Sequence, residues 1–256
     1  MSLNPPIRDW QGRRCWIVGA GTGIGAALAT RLAALGARVA LSGRREGPLR
    51  EIAATMRESL VLPLDVRDAD AVVAAVAQQV DRWGGIDVVV CMAGTYEPVR
   101  AWTLDAARAR EMVEVNVVGP FNVVAAVVPA LLRQGNGTVA LVSSVAGYRG
   151  LPKSLVYGPT KAALINLAES LYLDLHPKGI GVCVVNPGFV RTPLTAGNDF
   201  HMPALIEPDE AAREIVAGLE RGRFEIHFPR RFTRVLKLLG LLPASLYFAA
   251  VRKVVR

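Results

Sequence analysis

The stretch Val18-Gly19-Ala20-Gly21-Thr22-Gly23-Ile24-Gly25 separates an apolar run at 13–18 from a helical pattern that starts at residue 23. Glycines let the backbone turn sharply between a strand and a helix and approach a bound pyrophosphate closely. The N-terminus of the following helix then presents free N–H groups and the positive end of its dipole to the phosphates. In this position the stretch predicts a dinucleotide-binding site. A glycine-rich turn with a structural role alone is the alternative.

Apolar runs typical of buried strands alternate with helical patterns along residues 1–229. Continuous runs such as Ile86-Asp87-Val88-Val89-Val90 suit strands that helices cover on both faces. The alternation predicts an α/β fold, a single Rossmann-like domain with a doubly wound parallel sheet. Strands are predicted at 13–18, 37–42, 59–63, 86–91, 138–143, 180–185 and 224–228. Helices are predicted near 23–35, 46–57, 68–83, 104–133, 155–176 and 208–221.

The composition fits one large globular domain, because 52% of the 256 residues are hydrophobic and 20% are charged. The cysteines lie far apart in apolar runs, which predicts buried, reduced thiols in a cytoplasmic protein. Residues 1–10 lack the apolar core of a signal peptide, so none is expected. The histidines show no metal-ligand spacing, so no metal site is expected either. The cysteines are Cys15, Cys91 and Cys183, and the histidines are His176, His201 and His227.

The positive charge is concentrated in the C-terminal tail, residues 230–256. The chain has a net charge of +8, and the tail has seven basic residues and no acid, so residues 1–229 carry only +1. The uncharged segment 238–251 contains Pro243 and is too short to cross a membrane. We expect a helical extension that packs on the domain, over its substrate pocket, or on a partner subunit. Peripheral docking on an anionic membrane is the alternative. Nucleic-acid binding is not expected, because the tail has few aromatic residues and the main domain is near neutral.

A second motif contains side chains suited to acid–base catalysis. In it, Tyr157 and Lys161 lie four residues apart and Ser144 precedes them. Residues i and i+4 of a helix share one face, which places an ammonium beside a phenol. An unperturbed phenol has a pKa of about 10 and exchanges protons poorly at neutral pH. A neighbouring cation favours the phenolate and lowers that pKa, so the pair can act as a general acid and base. Ser144 can hold a carbonyl or hydroxyl oxygen by hydrogen bonding. An exposed lysine on a surface helix is the alternative.

Together, the glycine stretch and the set Ser144, Tyr157 and Lys161 resemble the short-chain dehydrogenase/reductase family. The resemblance covers roughly residues 12–228. The other motifs follow in the family's order, and they are Asp65-Val66, Ala93-Gly94, Asn116, and Asn186-Pro187-Gly188 with Thr192. The resemblance implies an NAD(P)-dependent oxidoreductase that transfers hydride between the nicotinamide and a carbonyl or secondary alcohol.

The resemblance also implies which residues bind the cofactor. Those expected beside the pyrophosphate are Gly19, Gly23, Ile24 and Gly25. Those expected beside the adenine and its ribose are Asp65, Val66, Ala93 and Gly94. Those expected around the carboxamide are Pro187, Gly188, Val190 and Thr192. Lys161 would hold the hydroxyls of the nicotinamide ribose. For Asp65, a turn or cap before the next helix is the alternative.

The end of the second predicted strand favours NADP(H) over NAD(H). A carboxylate there would bind the ribose hydroxyls of NAD and repel a 2′-phosphate. NAD-preferring members of the family carry that acid where this chain has Gly43, and Arg44 and Arg45 follow. A guanidinium group is well suited to a phosphate. A solvated arginine pair, with one arginine neutralised by Glu46, is the alternative.

The resemblance implies a role for each catalytic residue. Tyr157 would donate a proton to the carbonyl oxygen in reduction, Ser144 would polarise that oxygen, and Lys161 would lower the pKa of Tyr157. Asn116 matches a family asparagine that joins a water-mediated proton relay. Pro120 has no N–H, so the Asn116 carbonyl four residues earlier lacks its helical partner. We expect a loosened helix there that frees this carbonyl.

Two apolar segments lead to predictions about the oligomer and the substrate. Segment 117–132 has one polar side chain, that of Asn122, and a helix that is apolar all round must be buried all round. We expect a second subunit of a homodimer or homotetramer to cover its outer face, with the chain's own loops as the alternative. An apolar lid favours a fairly apolar ketone, aldehyde or secondary alcohol as the substrate. The lid residues are Phe189, Leu194, Phe200, Met202, Leu205 and Ile206.

Two strand-end positions depart from the family pattern, where Val18 replaces a threonine and Met92 replaces an asparagine. Two polar partners lost together need not leave an unsatisfied group. We therefore expect altered packing beneath the adenosine half of the cofactor and no loss of catalysis.

Two other functions are alternatives to an enzyme of this kind: a cofactor-binding regulator without turnover, and a membrane-surface reductase of lipid carbonyls.

Overall fold

The chain folds around one parallel sheet with helices on both faces. The computed structural model describes residues 2–199 and 201–254, and of Val254 the backbone alone, so the predicted lid residue Phe200 lies outside the described residues. The strands are β1 Arg14–Val18, β2 Arg38–Gly43, β3 Ser59–Pro63, β4 Val88–Cys91, β5 Gly137–Val142, β6 Ile180–Pro187 and β7 Glu225–Phe228. The α-helices are α1 Gly23–Ala34, α2 Glu46–Ala53, α3 Ala69–Trp83, α4 Ala106–Val113, α5 Gly119–Gln134, α6 Tyr157–Leu175, α7 Pro208–Glu220, α8 Arg230–Gly240 and α9 Ala244–Val254.

The order of the strands decides where a ligand can bind. Over the described residues the order is β3-β2-β1-β4-β5-β6-β7, and every neighbouring pair is parallel. The chain builds outward from β1 to β3 and then returns to the other side of β1 to form β4. In such sheets ligands bind outside the carboxyl ends of the strands, where the order reverses. That point lies between β1 and β4, where Val18 is opposite Cys91.

The core consists of apolar strands between two helical layers. Every residue of β4 and β6 is buried, as expected for strands covered on both faces. One layer, α1, α2 and α7, contributes Leu28, Leu49 and Ile215 to the core. The other layer, α3, α5 and α6, contributes residues such as Val76 and Leu131. The three cysteines are buried free thiols, as predicted. The predicted doubly wound parallel α/β fold is confirmed.

Most predicted boundaries agree with the structure to within two residues, but α2 ends four residues before the predicted residue 57. The Thr55 hydroxyl donates to the Ile52 carbonyl over 2.8 Å. The Met56 N–H donates to the Ala53 carbonyl, which closes a tight turn. The chain reverses in this turn to enter β3 at Ser59.

The helix predicted at 104–133 is a run over 106–134 that contains a π-helical turn at Glu114–Val118. In this turn the Gly119 N–H donates to the Glu114 carbonyl, five residues back. Asn116 lies in the turn, where a loosened helix was expected. By length and mean hydropathy, 1.9, the run could cross a membrane. However, half of its apolar window is buried inside the domain, as in the core helix of a globular fold.

The C-terminal tail packs on the loop that follows Ser144. The Arg149 guanidinium donates to the carbonyls of Gly240 and Leu242 over 2.8 and 2.6 Å, and it lies 4.1 Å from the centroid of the Tyr247 ring. The Tyr247 hydroxyl donates to the Gly150 carbonyl over 2.8 Å. These contacts join both tail helices to the domain.

Candidate active site

A cleft of about 740 Å³ opens at the carboxyl ends of β1 and β4, and its volume is in the range of small-molecule sites. Of the predicted site residues, all but Asn116 line it: Gly19, Gly23, Ile24, Gly25, Arg44, Arg45, Asp65, Val66, Ala93, Gly94, Ser144, Tyr157, Lys161, Pro187, Gly188, Val190 and Thr192. The lining also includes residues that the sequence did not assign to the site, among them Gly21, Thr22, Leu64, Thr95, Val115, Val142, Pro193 and Thr195.

The glycine turn at the start of the cleft depends on the absence of side chains. Gly19 has a φ of +99°, and a Cβ there would lie 2.7 Å from the Ala93 nitrogen. A Cβ at Gly25 would lie 2.1 Å from the Gly19 carbonyl oxygen. Among the described residues, no side chain caps the N-terminus of α1, and its first turn contains no acid. Its N–H groups are therefore available to an anion, so the turn fits the pyrophosphate of a dinucleotide.

The first part of the predicted lid, residues 188–195, lies over this turn. A Cβ at Gly23 would lie 2.9 Å from Thr192 Cγ2. Thr195 fixes the segment, because its hydroxyl donates to the Val190 carbonyl over 2.7 Å and accepts from the Thr192 N–H over 3.1 Å. Thr195 was not predicted as a site residue, although the Thr-x-x-Thr spacing was an available signal. Ile206, predicted as a lid residue, is buried and bridges to Val190 instead.

Charged side chains mark the far end of the cleft. Arg44 is exposed and makes no ion pair within the described part of the chain. Glu46 does not neutralise it, since that carboxylate accepts a hydrogen bond from Arg50 Nε over 2.7 Å. Asp65 accepts hydrogen bonds from the Arg67 N–H over 3.0 Å and from Arg67 Nη2 over 2.6 Å. The hydrogen bond from Arg67 is the main reason that the pKa of Asp65 is lowered. Asp65 therefore both shapes a turn and lines the cleft.

Apolar packing occupies the positions where the sequence departs from the family pattern. Val18 is fully buried. The Met92 sulfur would lie 2.9 Å from a Cβ at Gly25, so the thioether packs directly beneath the glycine turn.

Tyr157, Lys161 and Ser144 meet at the end of the cleft opposite Arg44. Helix α6 begins at Tyr157, so Tyr157 and Lys161 occupy successive turns of one helix. The Lys161 ammonium lies 5.5 Å from the centroid of the Tyr157 ring and donates to the Val142 carbonyl over 3.0 Å. Ser144 Oγ accepts from the Ala146 N–H over 3.1 Å. The phenol, the ammonium and the hydroxyl thus converge on one point.

Burial has the largest effect on the protonation of both ionisable groups. It raises the pKa of Tyr157 to about 12, although a hydrogen bond with Ser144 acts in the opposite direction. It lowers the pKa of Lys161 to about 8. Desolvation of the phenolate dominates the pKa of Tyr157, so the lowering of that pKa by Lys161 stays a prediction. At neutral pH Tyr157 is a protonated phenol.

Asn116 lies behind the cleft. Its Oδ1 accepts from the Thr95 N–H over 2.8 Å, while its Nδ2 donates to the Thr95 carbonyl over 2.9 Å and to Thr160 Oγ1 over 3.2 Å. A Cβ at Gly94 would lie 3.3 Å from Asn116 Oδ1 and 3.5 Å from Lys161 Nζ. The side chain therefore joins the loop after β4 to α6. A relay role is left to its backbone carbonyl in the π turn.

Two further side chains adjoin Tyr157 and Lys161. The Ser143 hydroxyl donates to the Lys161 carbonyl over 2.6 Å and is buried, so Ser143 is a structural strand-end residue. Tyr96 meets Tyr157 edge to face, with 5.0 Å between the ring centroids. Tyr96 belongs to no motif and was not predicted as a site residue. Among the described residues, no group of three or more histidine, cysteine or acidic side chains could hold a metal ion.

Comparisons with known proteins agree with this geometry. The family model described as short chain dehydrogenase matches residues 13–201. An uncharacterized oxidoreductase of Myxococcus xanthus is 35% identical over 245 residues, which cover 94% of this chain and 97% of that protein. An uncharacterized oxidoreductase of Staphylococcus epidermidis is 34% identical over 208 residues, or 79% of this chain and 89% of that protein. Among solved structures, a short-chain type dehydrogenase/reductase from Mycobacterium marinum matches with a TM-score of 0.77 and 29% identity, over 86% of this chain and 94% of that chain.

Proposed function

Because this chain belongs to the short-chain dehydrogenase/reductase family, we propose that it transfers hydride between NADP(H) and a carbonyl or secondary alcohol of a fairly apolar small molecule. The chain is an oxidoreductase with a Rossmann-type NAD(P)-binding fold. The observation that carries the finer proposal is the cleft. Arg44 follows β2 and Ser144 follows β5, on opposite sides of β1 and β4, so Arg44 and the set of Tyr157, Lys161 and Ser144 lie at opposite ends of the cleft with the glycine turn between them.

Tyr157 is the proton donor in the direction of reduction. A nicotinamide held in the cleft would supply the hydride for the carbonyl carbon. Tyr157 gives its proton to the carbonyl oxygen, because a phenol with a pKa of about 12 is protonated at neutral pH. Ser144 donates a hydrogen bond to the same oxygen, and the Lys161 ammonium stabilises the phenolate that is left. In oxidation Tyr157 accepts the proton instead, and the Asn116 carbonyl holds the water through which that proton leaves.

The cofactor preference rests on the end of β2. The structure leaves Arg44 exposed beside the cleft, and Glu46 is paired with Arg50. A 2′-phosphate bound there would meet a guanidinium group and no carboxylate on the same loop. This supports NADP(H) over NAD(H).

We expect Arg44→Ala to weaken NADPH binding by about 10- to 100-fold, since a hydrogen bond to a charged group contributes about 1.5–3 kcal/mol. NADH affinity should change by less than about twofold, because NADH has no 2′-phosphate. Gly43→Asp should reverse the preference, and a Cβ there would make only an ordinary contact, 3.7 Å from Leu49 Cδ2. Energy transfer from tryptophan to each reduced nicotinamide, titrated separately, measures all of these affinities.

Arg57→Ala is the matched control, because Arg57 is exposed and does not line the cleft. Equal losses of NADPH and NADH affinity in Arg44→Ala would contradict the assignment. Turnover is then followed as loss of nicotinamide absorbance with a panel of apolar aldehydes and ketones. Binding without turnover of any of them would favour the cofactor-binding regulator, although the oxidoreductase relatives argue for an enzyme.

The apolar substrate is supported by apolar and aromatic side chains of the cleft and the predicted lid. Leu194 lines the cleft and is 42% exposed. The Tyr96 ring contacts Tyr157, and Phe189 packs against Phe232 of the tail with 5.7 Å between the ring centroids. The cysteines are buried and unpaired, which supports a reducing, cytoplasmic setting.

We also propose that the enzyme is a homo-oligomer through α5. Phe121, Ala125, Pro129 and Leu132 are exposed and recur at helical spacing, so they form an apolar stripe. The described part of the chain does not bury this stripe, which argues against cover by the chain's own loops. A second copy of the chain would cover it.

Phe121→Asp should convert the oligomer to a monomer, because a charge placed in an apolar interface is left without a partner. Sedimentation velocity at micromolar concentration measures the change. Leu173→Asp is the control, since Leu173 is 73% exposed and lies on α6. A wild-type protein that is monomeric at all concentrations would overturn the proposal.

A further inference from the structure

The C-terminal tail exposes several large apolar side chains. Five large side chains there are at least half exposed, and Leu241 reaches 82%. We call this surface the tail patch, and it consists of Val235, Leu238, Leu241, Leu246 and Phe248. Large exposed apolar side chains concentrated in one short segment indicate an interaction site.

The tail patch is held in place by the inner side of the same helices. Thr233 of α8 and Tyr247 of α9 are buried against the domain. Arg149 donates to two tail carbonyls, and Tyr247 donates to Gly150. The patch is therefore a fixed feature of the fold.

Basic side chains flank the tail patch on both helices. Arg231 and Arg234 precede it on α8, and Arg252 and Lys253 follow it on α9. All four are exposed, and none makes an ion pair within the described residues. On α8, Arg231, Arg234, Val235 and Leu238 share one face by their spacing. The tail contains no acid. The surface is thus apolar in the middle and positive at both ends.

We propose that the tail patch docks on an anionic lipid bilayer, with its apolar side chains in the boundary between headgroups and acyl chains. This arrangement of an apolar centre with cationic flanks is the one that binds membrane interfaces. Anionic headgroups complement the four flanking charges, and each charge near such a surface adds to binding. A second copy of the same patch does not complement them, because it would bring like charges together without an acid to separate them.

The tail lies on the membrane and does not cross it. The uncharged segment 238–251 has 14 residues and is broken by Pro243, whereas a spanning helix needs about 20. Because Arg149 and Gly150 follow Ser144 closely in the chain, docking would bring the catalytic end of the cleft near the bilayer.

The test is co-sedimentation of the full-length protein with vesicles of phosphatidylcholine alone and of phosphatidylcholine with phosphatidylglycerol. Binding is expected to the anionic vesicles and to weaken with added salt. Arg231→Gln with Arg234→Gln should weaken it by about 25-fold, roughly fivefold for each charge. Leu241→Ser with Leu246→Ser should weaken it by at least about tenfold.

The matched controls change exposed residues elsewhere. Arg57→Gln with Arg82→Gln removes two exposed charges, and Leu173→Ser removes an exposed leucine. Both should bind the vesicles like the wild type. Full-length protein that stays in the supernatant with anionic vesicles would overturn the proposal, and so would equal losses in the controls. If the wild type does not bind vesicles but self-associates, and Leu241→Ser with Leu246→Ser abolishes that self-association, the tail patch binds a second copy of the chain instead.

Discussion

Tyr157→Phe is expected to lower turnover by about 10²- to 10⁴-fold while NADPH affinity stays within about twofold. The substitution removes one hydroxyl and keeps the ring, which packs edge to face against Tyr96. In the proposed mechanism the lost hydroxyl is the proton donor, and its described neighbours Ser144 and Lys161 are poorly suited to replace it. Ser144 is a much weaker acid, and the Lys161 ammonium is directed to the Val142 carbonyl.

The comparison that isolates this effect is Tyr172→Phe. Tyr172 lies on the same helix, α6, and its hydroxyl donates to the Leu3 carbonyl over 2.9 Å, away from the cleft. That variant should keep wild-type turnover. Steady-state rates with a carbonyl substrate, together with the energy-transfer titration of NADPH, measure both quantities. A Tyr157→Phe enzyme that retains more than about a tenth of wild-type turnover would rule out Tyr157 as the general acid.

The fold could be predicted because its signals are local. Strands such as β4 and β6 are continuous apolar runs, and the glycine stretch marks the first strand-to-helix turn. The parallel order then brings the carboxyl ends of β1 and β4 together, so residues from distant motifs line one cleft. Each of these steps uses sequence spacing and a general rule of α/β sheets.

The electrostatics could not be predicted from spacing. The positions of Tyr157 and Lys161 show that a cation is near a phenol, but not how deeply both are buried. Burial decides the pKa of each, in opposite directions. The role of the Asn116 side chain was hidden for a similar reason. Its partners Thr95 and Thr160 are 21 and 44 residues away in the chain.

The contacts that hold the tail were also invisible in the sequence. Glu225 is one acid among 22 and belongs to no motif. In the structure its Oε1 accepts from the Tyr148 hydroxyl over 2.7 Å and from Asn186 Nδ2 over 2.8 Å, and its Oε2 pairs with Lys237 of the tail. One carboxylate thus joins the loop after Ser144, strand β6 and helix α8.

Glu225→Ala should lower the free energy of unfolding by about 3 kcal/mol, which corresponds to about 6–12 °C in Tm. The reason is that three donors lose their acceptor at once. Asn186 is fully buried, and its Oδ1 already lacks a partner within the described residues, so loss of the bond to Glu225 leaves its amide poorly satisfied. Lys237 would lose its ion pair, and the tail would be held less firmly. Denaturant unfolding measures the first effect, and trypsin cleavage in the tail of the folded protein measures the second.

The effect of Glu225→Ala should depend on pH in a defined direction. Burial alone would raise the pKa of Glu225, but hydrogen bonds from Lys237, Tyr148 and Asn186 outweigh it, so the pKa lies below its usual value. A lowered pKa means that the carboxylate contributes its full stabilisation above the unfolded value of about 4.3, and loses it as the pH falls further. The difference in unfolding free energy between wild type and Glu225→Ala should therefore be largest at neutral pH and shrink below about pH 4.

The control is Glu225→Gln, which keeps an acceptor for Tyr148 and Asn186 but cannot take up a proton. The difference in unfolding free energy between the wild type and Glu225→Gln should also shrink below about pH 4. If that difference is constant from pH 7 to pH 3, the charge of Glu225 does not stabilise the attachment of the tail.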